Sequence, residues 1–407
     1  MHRTVILALL LVGAAGCIDD VDEPATTPPV GGEPVMQAPS QVVVAVIDSN
    51  ANPYHEFFQQ HNPIDDAILD SFVDHNGKTV ERVRLTQEGT YEERREADAD
   101  FWATVEPGQL YHFEGTRLLG ISFGGNIVDG GTHGIGTTAA VLEANPDAIV
   151  ILVQGTGSSA GEQWAAQAPF VDILSESYGL YCGQPALELL PGDSTAKNNK
   201  IAWDNGKIPV GAADNTPCPA MNDGTSGPPW VVGVSGDHPA AEGSCREPVS
   251  GNFPDFTADF TQDLPYVNDV EGTRTVSGTS FSTPTTAGSF SRALLQVREA
   301  WNHTGGITDG ALALGPDGAR LGQYDLWHAF NQTAVYFSTA VCDESGSVPV
   351  NPAAPWVQMG WGHVDSEIGD HAARVLLGEA PPIKDAAAVA YMESVYTYRQ
   401  TVWPPVI

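Results

Sequence analysis

Short apolar runs rich in β-branched residues recur along the chain, at 42–47, 148–153, 170–174, 208–212 and 230–234. They lack the alternation of polar and apolar residues that is typical of a strand with one wet face, so they predict strands buried on both faces. Segments compatible with helices lie among and after them, at 136–143, 161–168 and 280–298. The pattern predicts an α/β fold, in which a mostly parallel central sheet is flanked by helices in three layers.

The two ends of the chain differ in composition from the segment between them. Residues 1–16 join a basic start, His2 and Arg3, to a short apolar stretch, which predicts a signal peptide. Residues 17–40 are rich in proline, glycine and acidic residues, and we expect a disordered tether there. One folded domain is expected over 41–380, with a charge-dense insertion at about 78–118. Residues 381–407 predict a C-terminal helix and an extended tail.

Cys17 directly follows Ala14, Ala15 and Gly16, and this sequence resembles a bacterial lipobox. The resemblance implies cleavage before Cys17, diacylation of its thiol and a lipid anchor as the only membrane attachment. Because residue 18 is Ile and not Asp, the resemblance favours the outer membrane. Plain secretion, with Cys17 free or paired, is the alternative.

The chain is strongly acidic, with 51 Asp and Glu against 18 Lys and Arg and a net charge of −33. Such a surface repels polyanions, so nucleic acid is not an expected partner. It is typical of a well-solvated secreted protein, but some carboxylates could instead form structural calcium sites. No EF-hand loop is present, so metal ligands cannot be named from spacing.

Four cysteines remain in the mature chain: Cys182, Cys218, Cys245 and Cys342. In an exported protein they permit two disulfides in three pairings, and the sequence does not choose among these.

Three residues carry candidate chemistry. Asp48 ends the first apolar run, where catalytic groups sit in open α/β sheets, although a turn Asp is the simpler interpretation. His133 lies in a glycine-rich segment, 129–136, that leads into a predicted helix. Ser280 lies in Val-Ser-Gly-Thr-Ser-Phe-Ser-Thr-Pro-Thr-Thr-Ala-Gly, 276–288, at a helix start where backbone donors favour negative charge on a substrate.

The order Asp, His, Ser and the residues around each one resemble the subtilisin-like serine peptidases, the subtilase family. Further matches follow in the family's order at 145–154, 171–179, 210–215 and 360–365. The resemblance implies a subtilisin-like fold and a catalytic domain over 41–380 that hydrolyses peptide bonds and needs no cofactor for the chemistry.

The resemblance also implies a role for each matched residue. Asp48, His133 and Ser280 would form the catalytic triad, and the Asn215 amide would help to bind the oxyanion. Ser177, Tyr178 and Gly179 would pair with an extended polypeptide substrate. Gly211, Ala212 and Ala213 would line the first specificity pocket, where their small size leaves room. A monomer is favoured.

Departures from the family pattern keep alternatives open. Phe281 and Ser282 stand where the family usually has Met and Ala, and 135–137 also differ. A catalytically impaired subtilase fold that serves as a surface scaffold is therefore the main alternative. The related sedolisins are another alternative, but they use Glu in place of His, so the presence of His133 disfavours this class. Another acyl-transfer reaction would use the same residues. His55 is expected to be structural.

Overall fold

The computed structural model describes residues 40–155, 159–179, 194–213, 215, 225–237, 254–343, 346–384 and 390. These residues belong to one compact unit that spans 38–407. The predictions for the signal peptide, for the tether up to 39 and for most of the C-terminal helix and tail lie outside the described residues. So do Cys17, Cys182, Cys218 and Cys245.

The strands are β1 (Val43–Asp48), β2 (Glu81–Val83), β3 (Leu110–Phe113), β4 (Leu118–Ser122), β5 (Ile149–Gln154), β6 (Ile173–Glu176), β7 (Ile208–Ala212), β8 (Val232–Asp237), β9 (Phe256–Asp259), β10 (Thr261–Leu264), β11 (Arg274–Ser277), β12 (Ala313–Leu314), β13 (Arg320–Leu321), β14 (Thr339–Asp343) and β15 (Gly346–Pro349).

The helices are α1 (Glu56–Gln59), α2 (Asp66–Ser71), α3 (Tyr91–Ala97), α4 (Ala99–Trp102), α5 (His133–Ala144), α6 (Ser159–Gln167), α7 (Ser194–Asp204), α8 (Thr279–Trp301), α9 (Gln323–Thr333), α10 (Trp356–Met359) and α11 (Ser366–Leu376), with a 3₁₀ turn at Pro316–Gly318. None of the described helices is long and apolar enough to cross a membrane.

Among the described residues, eleven strands form the central sheet, in the order β15-β14-β8-β7-β6-β1-β5-β4-β3-β2, with β9 also paired to β8. Its middle is parallel from β4 through β5, β1, β6 and β7 to β8. Antiparallel pairs occur towards both edges, where β3 joins β4 and β14 joins β8. The prediction of a mostly parallel α/β sheet is therefore confirmed.

The sheet is covered on both faces, because alternate residues of β1 belong to different apolar clusters. Val42, Val44 and Val46 pack with α5, α8 and α11 on one face. Val43, Ala45 and Ile47 pack with α2 and α6 on the other. Burial on both faces explains why the strands read as uninterrupted apolar runs. The three predicted layers are present.

The segment predicted as an insertion, 78–118, contains β2, α3, α4 and β3 and leads into β4. β2 and β3 pair in parallel and extend the sheet at one edge. α3 begins with a capping box, in which the Thr90 side chain accepts from the Glu93 backbone amide and the Glu93 side chain accepts from the Thr90 backbone amide.

Helix α8 is anchored at its carboxyl end and packed against α5 at its middle. At its carboxyl end, the Arg298 guanidinium donates to both oxygens of Asp172, at 2.7 and 2.9 Å, and both side chains are fully buried. Arg298 also donates to the carbonyl oxygens of Leu312 and Gln41. At the middle of α8, Gly288 lies against the last turns of α5, since a Cβ there would be 2.6 Å from the Val141 carbonyl oxygen. These contacts fix α8 against α5 and against the segment that leads into β6.

Candidate active site

Asp48 is the last residue of β1 and lies at the carboxyl edge of the parallel strands, between β5 and β6. It is fully buried. Its carboxylate accepts hydrogen bonds from the Ser49 amide at 2.6 Å and from the Thr137 hydroxyl at 2.9 Å. A buried charge is tolerated when it is hydrogen-bonded in this way.

His133 is the first residue of α5, and its Nδ1 lies 2.9 Å from each Asp48 oxygen. Burial lowers the pKa of the imidazole, but the hydrogen bond and charge of Asp48 outweigh this and raise the pKa above its ordinary value. Since Nδ1 faces the carboxylate, Nε2 is the nitrogen that can act as a base. One third of the side chain is exposed, so a substrate can reach it.

Ser280 is the second residue of α8, which follows Gly278. Gly278 has φ +150°, a conformation that side chains rarely adopt, so glycine suits the sharp entry into the helix. The Ser280 hydroxyl donates to the Ser177 carbonyl oxygen at 3.5 Å, and the Ser177 hydroxyl donates to the Ser280 carbonyl oxygen at 2.7 Å. These two bonds join the start of α8 to the end of β6.

The structure thus brings Asp48, His133 and Ser280 to one edge of the sheet from three distant parts of the chain. The ring of Phe281, next to Ser280, lies 5.6 Å from the His133 ring, centroid to centroid. The Tyr266 ring contacts the imidazole from another side, at 6.4 Å. Asp48 and His133 are hydrogen-bonded, whereas Ser280 bonds to Ser177 and not to the imidazole.

Asn215 lies beside the start of α8. Its side-chain oxygen accepts from the Thr279 amide at 2.7 Å and from the Thr279 hydroxyl at 2.9 Å. With the oxygen committed to these two donors, the amide nitrogen is directed away from Thr279. A Cβ on Gly278 would be 3.3 Å from that nitrogen. The predicted role in an oxyanion hole remains a prediction.

The predicted substrate segment, Ser177, Tyr178 and Gly179, follows β6 directly, and Gly179 is exposed. The Tyr178 hydroxyl donates at 2.8 Å to Glu162, a fully buried carboxylate of α6. Glu162 also accepts from Thr195 and Asn198 of α7. Sequence analysis missed this network, because its members come from three separate segments and share no motif.

The predicted pocket segment lies at the end of β7, which includes Gly211 and Ala212 and is followed by Ala213. A Cβ on Gly211 would lie only 1.5 Å from the Thr225 carbonyl oxygen. The space on the Cβ side of Gly211 is therefore filled by backbone, and the role of this segment in a specificity pocket remains a prediction. Glycine is required at this position for close packing.

Thr137 is a second residue that sequence analysis missed, although its spacing carried a signal. It lies four residues after His133 on α5, and residues at this spacing share a helix face. A residue on the same helix face as His133 could therefore have been expected to reach Asp48.

His55 has a structural role. Its Nδ1 accepts the Phe57 amide at the start of α1, and its Nε2 donates to the Gly272 carbonyl oxygen at 2.9 Å. Burial lowers the pKa of this ring, in line with a neutral imidazole that accepts one hydrogen bond and donates the other.

Among the described residues, Asp237, Asp259 and His363 form the group whose ligand atoms lie close enough to hold a metal ion. Both ring nitrogens of His363 face carboxylates, Asp237 at 2.7 Å and Asp365 at 3.4 Å. Burial lowers the pKa of His363, but these partners outweigh it and raise the pKa to about 10. This group offers an imidazole nitrogen beside two carboxylates, whereas calcium takes oxygen ligands, so it does not fit calcium.

The structure has a mostly parallel sheet between helical layers, with an Asp-His pair and a serine at its carboxyl edge, as expected for the predicted α/β fold. Solved structures similar in fold include a lanthipeptide protease, at 14% identity and TM-score 0.49, over 84% of this chain and 89% of that one. The prenylagaramide maturation protease PagA aligns at 13% identity and TM-score 0.47, over 83% of this chain and 95% of that one. The patellamide maturation protease PatA aligns at 14% identity and TM-score 0.45, over 85% of this chain and 100% of that one.

No protein-family model matches the chain, and no curated protein matches it.

Proposed function

We propose that the chain is a serine endopeptidase that cleaves peptide bonds through an acyl-enzyme. The observation that supports this most strongly is the hydrogen-bonded pair of Asp48 and His133, at 2.9 Å, beside a serine in the first turn of α8. An imidazole oriented by a buried carboxylate next to a hydroxyl is the arrangement that activates a serine nucleophile.

In this mechanism His133 Nε2 takes the proton of Ser280 Oγ as the oxygen attacks the substrate carbonyl. The Ser280 side chain must first leave the Ser177 carbonyl oxygen, to which its bond is long at 3.5 Å. Such bonds are often loose before substrate binds and tighten afterwards. Asp48 stabilises the imidazolium that forms. His133 then returns the proton to the leaving amine, and water releases the acyl group by the same steps.

The Ser280 backbone N–H, in the first turn of α8, and the Asn215 amide would stabilise the oxyanion of the tetrahedral intermediate. An extended polypeptide would pair with the backbone of 177–179, as an added strand beyond β6. The Tyr178 ring would then narrow one subsite, because the hydrogen bond to Glu162 fixes its hydroxyl.

A catalytically impaired scaffold is the second candidate. It is favoured by one observation, namely that the Ser280 hydroxyl bonds to Ser177 and not to His133. Such a protein would bind polypeptides at the same edge and would leave them intact.

For the location, we propose an exported protein anchored at a bacterial outer membrane by a lipid on Cys17, or secreted without one. This rests on the sequence of residues 1–18. The mass of the mature protein tests it, because an N-terminus anywhere but Cys17 would contradict the anchor.

Labelling with a fluorophosphonate probe tests the catalytic proposal, and Ser280→Ala is the first variant. Ser282→Ala is a matched control, since Ser282 is buried two residues away and its hydroxyl donates to the Asp259 carbonyl oxygen. We expect labelling of the wild type and of Ser282→Ala, and none of Ser280→Ala. A folded wild type that neither labels nor cleaves an unfolded protein would favour the scaffold.

A further inference from the structure

We propose that Thr137 is a positioning residue of the active site: its hydroxyl holds the Asp48 carboxylate in the orientation that His133 needs and offsets part of its negative charge. The inference rests on the proposed function, because it assigns a role in the same triad. Thr137 Oγ1 lies 2.9 Å from Asp48 Oδ2, and both side chains are fully buried.

The proton of Thr137 has two acceptors within reach, and the geometry favours the carboxylate. The Gly134 carbonyl oxygen is more distant, at 3.3 Å, and is neutral. That carbonyl oxygen already accepts the neighbouring hydroxyl of Thr138 at 2.7 Å. A hydrogen bond to a buried charge is stronger than one to a neutral oxygen, so Thr137 donates to Asp48.

The position of Thr137 on α5 makes this contact specific. Thr137 lies four positions after His133, so both side chains leave the same face of the helix and converge on Asp48. The imidazole contacts both oxygens, the Ser49 amide binds Oδ1, and Thr137 binds Oδ2. Without Thr137, Oδ2 would have the imidazole as its remaining hydrogen-bond donor among the described residues.

Removal of this hydroxyl has two expected effects. The carboxylate gains freedom to rotate, so the imidazole is held less firmly towards Ser280. The negative charge that faces His133 is also less dispersed, which stabilises the imidazolium. Among the described residues Asp48 is the charged group that shifts the pKa of His133, and the other ring contacts are Tyr266 and Phe281.

The test compares Thr137→Val, which keeps the shape and removes the hydroxyl, with Thr138→Val as a matched control. Thr138 is equally buried on the same helix, and it donates to backbone oxygens and not to Asp48. Thr137→Ser, which restores a hydroxyl, is the rescue variant. For each full-length protein we would measure the pH dependence of kcat/KM, the separate kcat and KM, and the pKa of His133 by NMR titration.

We expect Thr137→Val to lower kcat roughly 3- to 30-fold with little change in KM. We expect it to raise the pKa of His133 by about half a unit, which moves the acid limb of the profile to higher pH. Thr137→Ser should recover most of both. Equal behaviour of Thr137→Val and Thr138→Val in the titration would overturn the proposal. If the NMR shift is present and the wild type cleaves no peptide, the proposed function fails and the contact to Asp48 stands.

Discussion

Gly134 lies so close to Asn50 that a Cβ on Gly134 would be 2.3 Å from the Asn50 carbonyl oxygen and 2.8 Å from its amide nitrogen. This contact joins the first turn of α5 to the loop that follows β1. It is the reason that His133, the residue before Gly134, can reach Asp48 at the end of that strand.

We therefore expect Gly134→Ala to damage both stability and activity. In an open helix the change would stabilise by roughly 0.5–1 kcal/mol. Here the methyl group overlaps backbone that cannot rotate away, so we expect the free energy of unfolding to fall by about 1–3 kcal/mol. The shift of α5 should also separate His133 from Asp48 and lower kcat more than stability alone explains. Denaturation and turnover of purified protein measure the two effects.

Gly305→Ala is the control for this prediction. A methyl group on Gly305 would meet no atom within 4 Å, and this residue has no positive φ. The variant should behave like the wild type in both measurements. Equal and small effects of the two substitutions would show that the close approach at Gly134 is not required.

The sequence predicts the middle of this molecule better than its edges. The buried strands at β1, β5 and β7 read as apolar runs because both of their faces are covered, and α5, α6 and α8 begin within three residues of the predicted starts. The strands at or next to the edges, β2, β14 and β15, have no comparable run. Their pairing depends on partners distant in the chain, which a local pattern cannot reveal.

The candidate site shows the same division. Asp48, His133 and Ser280 lie in recognisable motifs, so the sequence could nominate them. Glu162 could not be nominated, because a buried carboxylate in α6 is identified only by the donors that surround it in space. The backbone of Thr225 that fills the space beside Gly211 is likewise invisible to spacing.

Asp48→Asn should reverse the direction in which the pKa of His133 is shifted from its ordinary value. Burial lowers this pKa, and the hydrogen bond and charge of Asp48 raise it above the ordinary value of about 6.5. The proposed mechanism requires neutral His133, so wild-type kcat/KM should fall as pH drops through this raised pKa. In Asp48→Asn burial acts without a charge to oppose it, and the pKa should lie below 6.5. NMR titration of His133 measures both values, and an unchanged pKa would contradict the assignment of Asp48 as its partner.

The raised pKa of His133 also makes the stability of the fold depend on pH. Because the pKa of His133 is raised on folding, the ion pair stabilises the fold fully below the unfolded pKa, and this contribution is lost as pH rises through the folded pKa. The wild type should therefore lose stability relative to Asp48→Asn as pH rises above the ordinary pKa of about 6.5. Denaturation of the two proteins across that range checks the direction.

Arg298→Met should be among the most destabilising substitutions outside the site. It leaves Asp172 charged, fully buried and without its guanidinium partner, which typically costs about 3–5 kcal/mol. Arg292→Met is the matched control, because Arg292 pairs with Asp370 where both side chains are one third or more exposed. Such pairs contribute about 1 kcal/mol or less. Similar losses in urea denaturation of the two variants would contradict this account.

Structural calcium remains a prediction from the acidic composition of the chain. If a site exists, a chelator should lower the melting temperature, and added calcium should restore it. Asp259→Asn should leave this response intact, because the group of Asp237, Asp259 and His363 does not fit calcium. An unchanged melting temperature in chelator would remove calcium from the description of the protein.

Asn215→Asp tests the donor role of the Asn215 amide nitrogen separately from the acceptor role of its oxygen. An aspartate keeps an oxygen that can accept the Thr279 amide and hydroxyl, so the start of α8 should remain in place. It removes the –NH₂ donor and brings a negative charge towards the developing oxyanion. We expect kcat to fall by about 10²–10³ or more, with KM and melting temperature close to wild type. Asn215→Ala removes donor and acceptor together, so it should lose similar activity and also some stability. If Asn215→Asp turns over within twofold of the wild type, the amide does not donate to the oxyanion, and the Ser280 backbone must act without it.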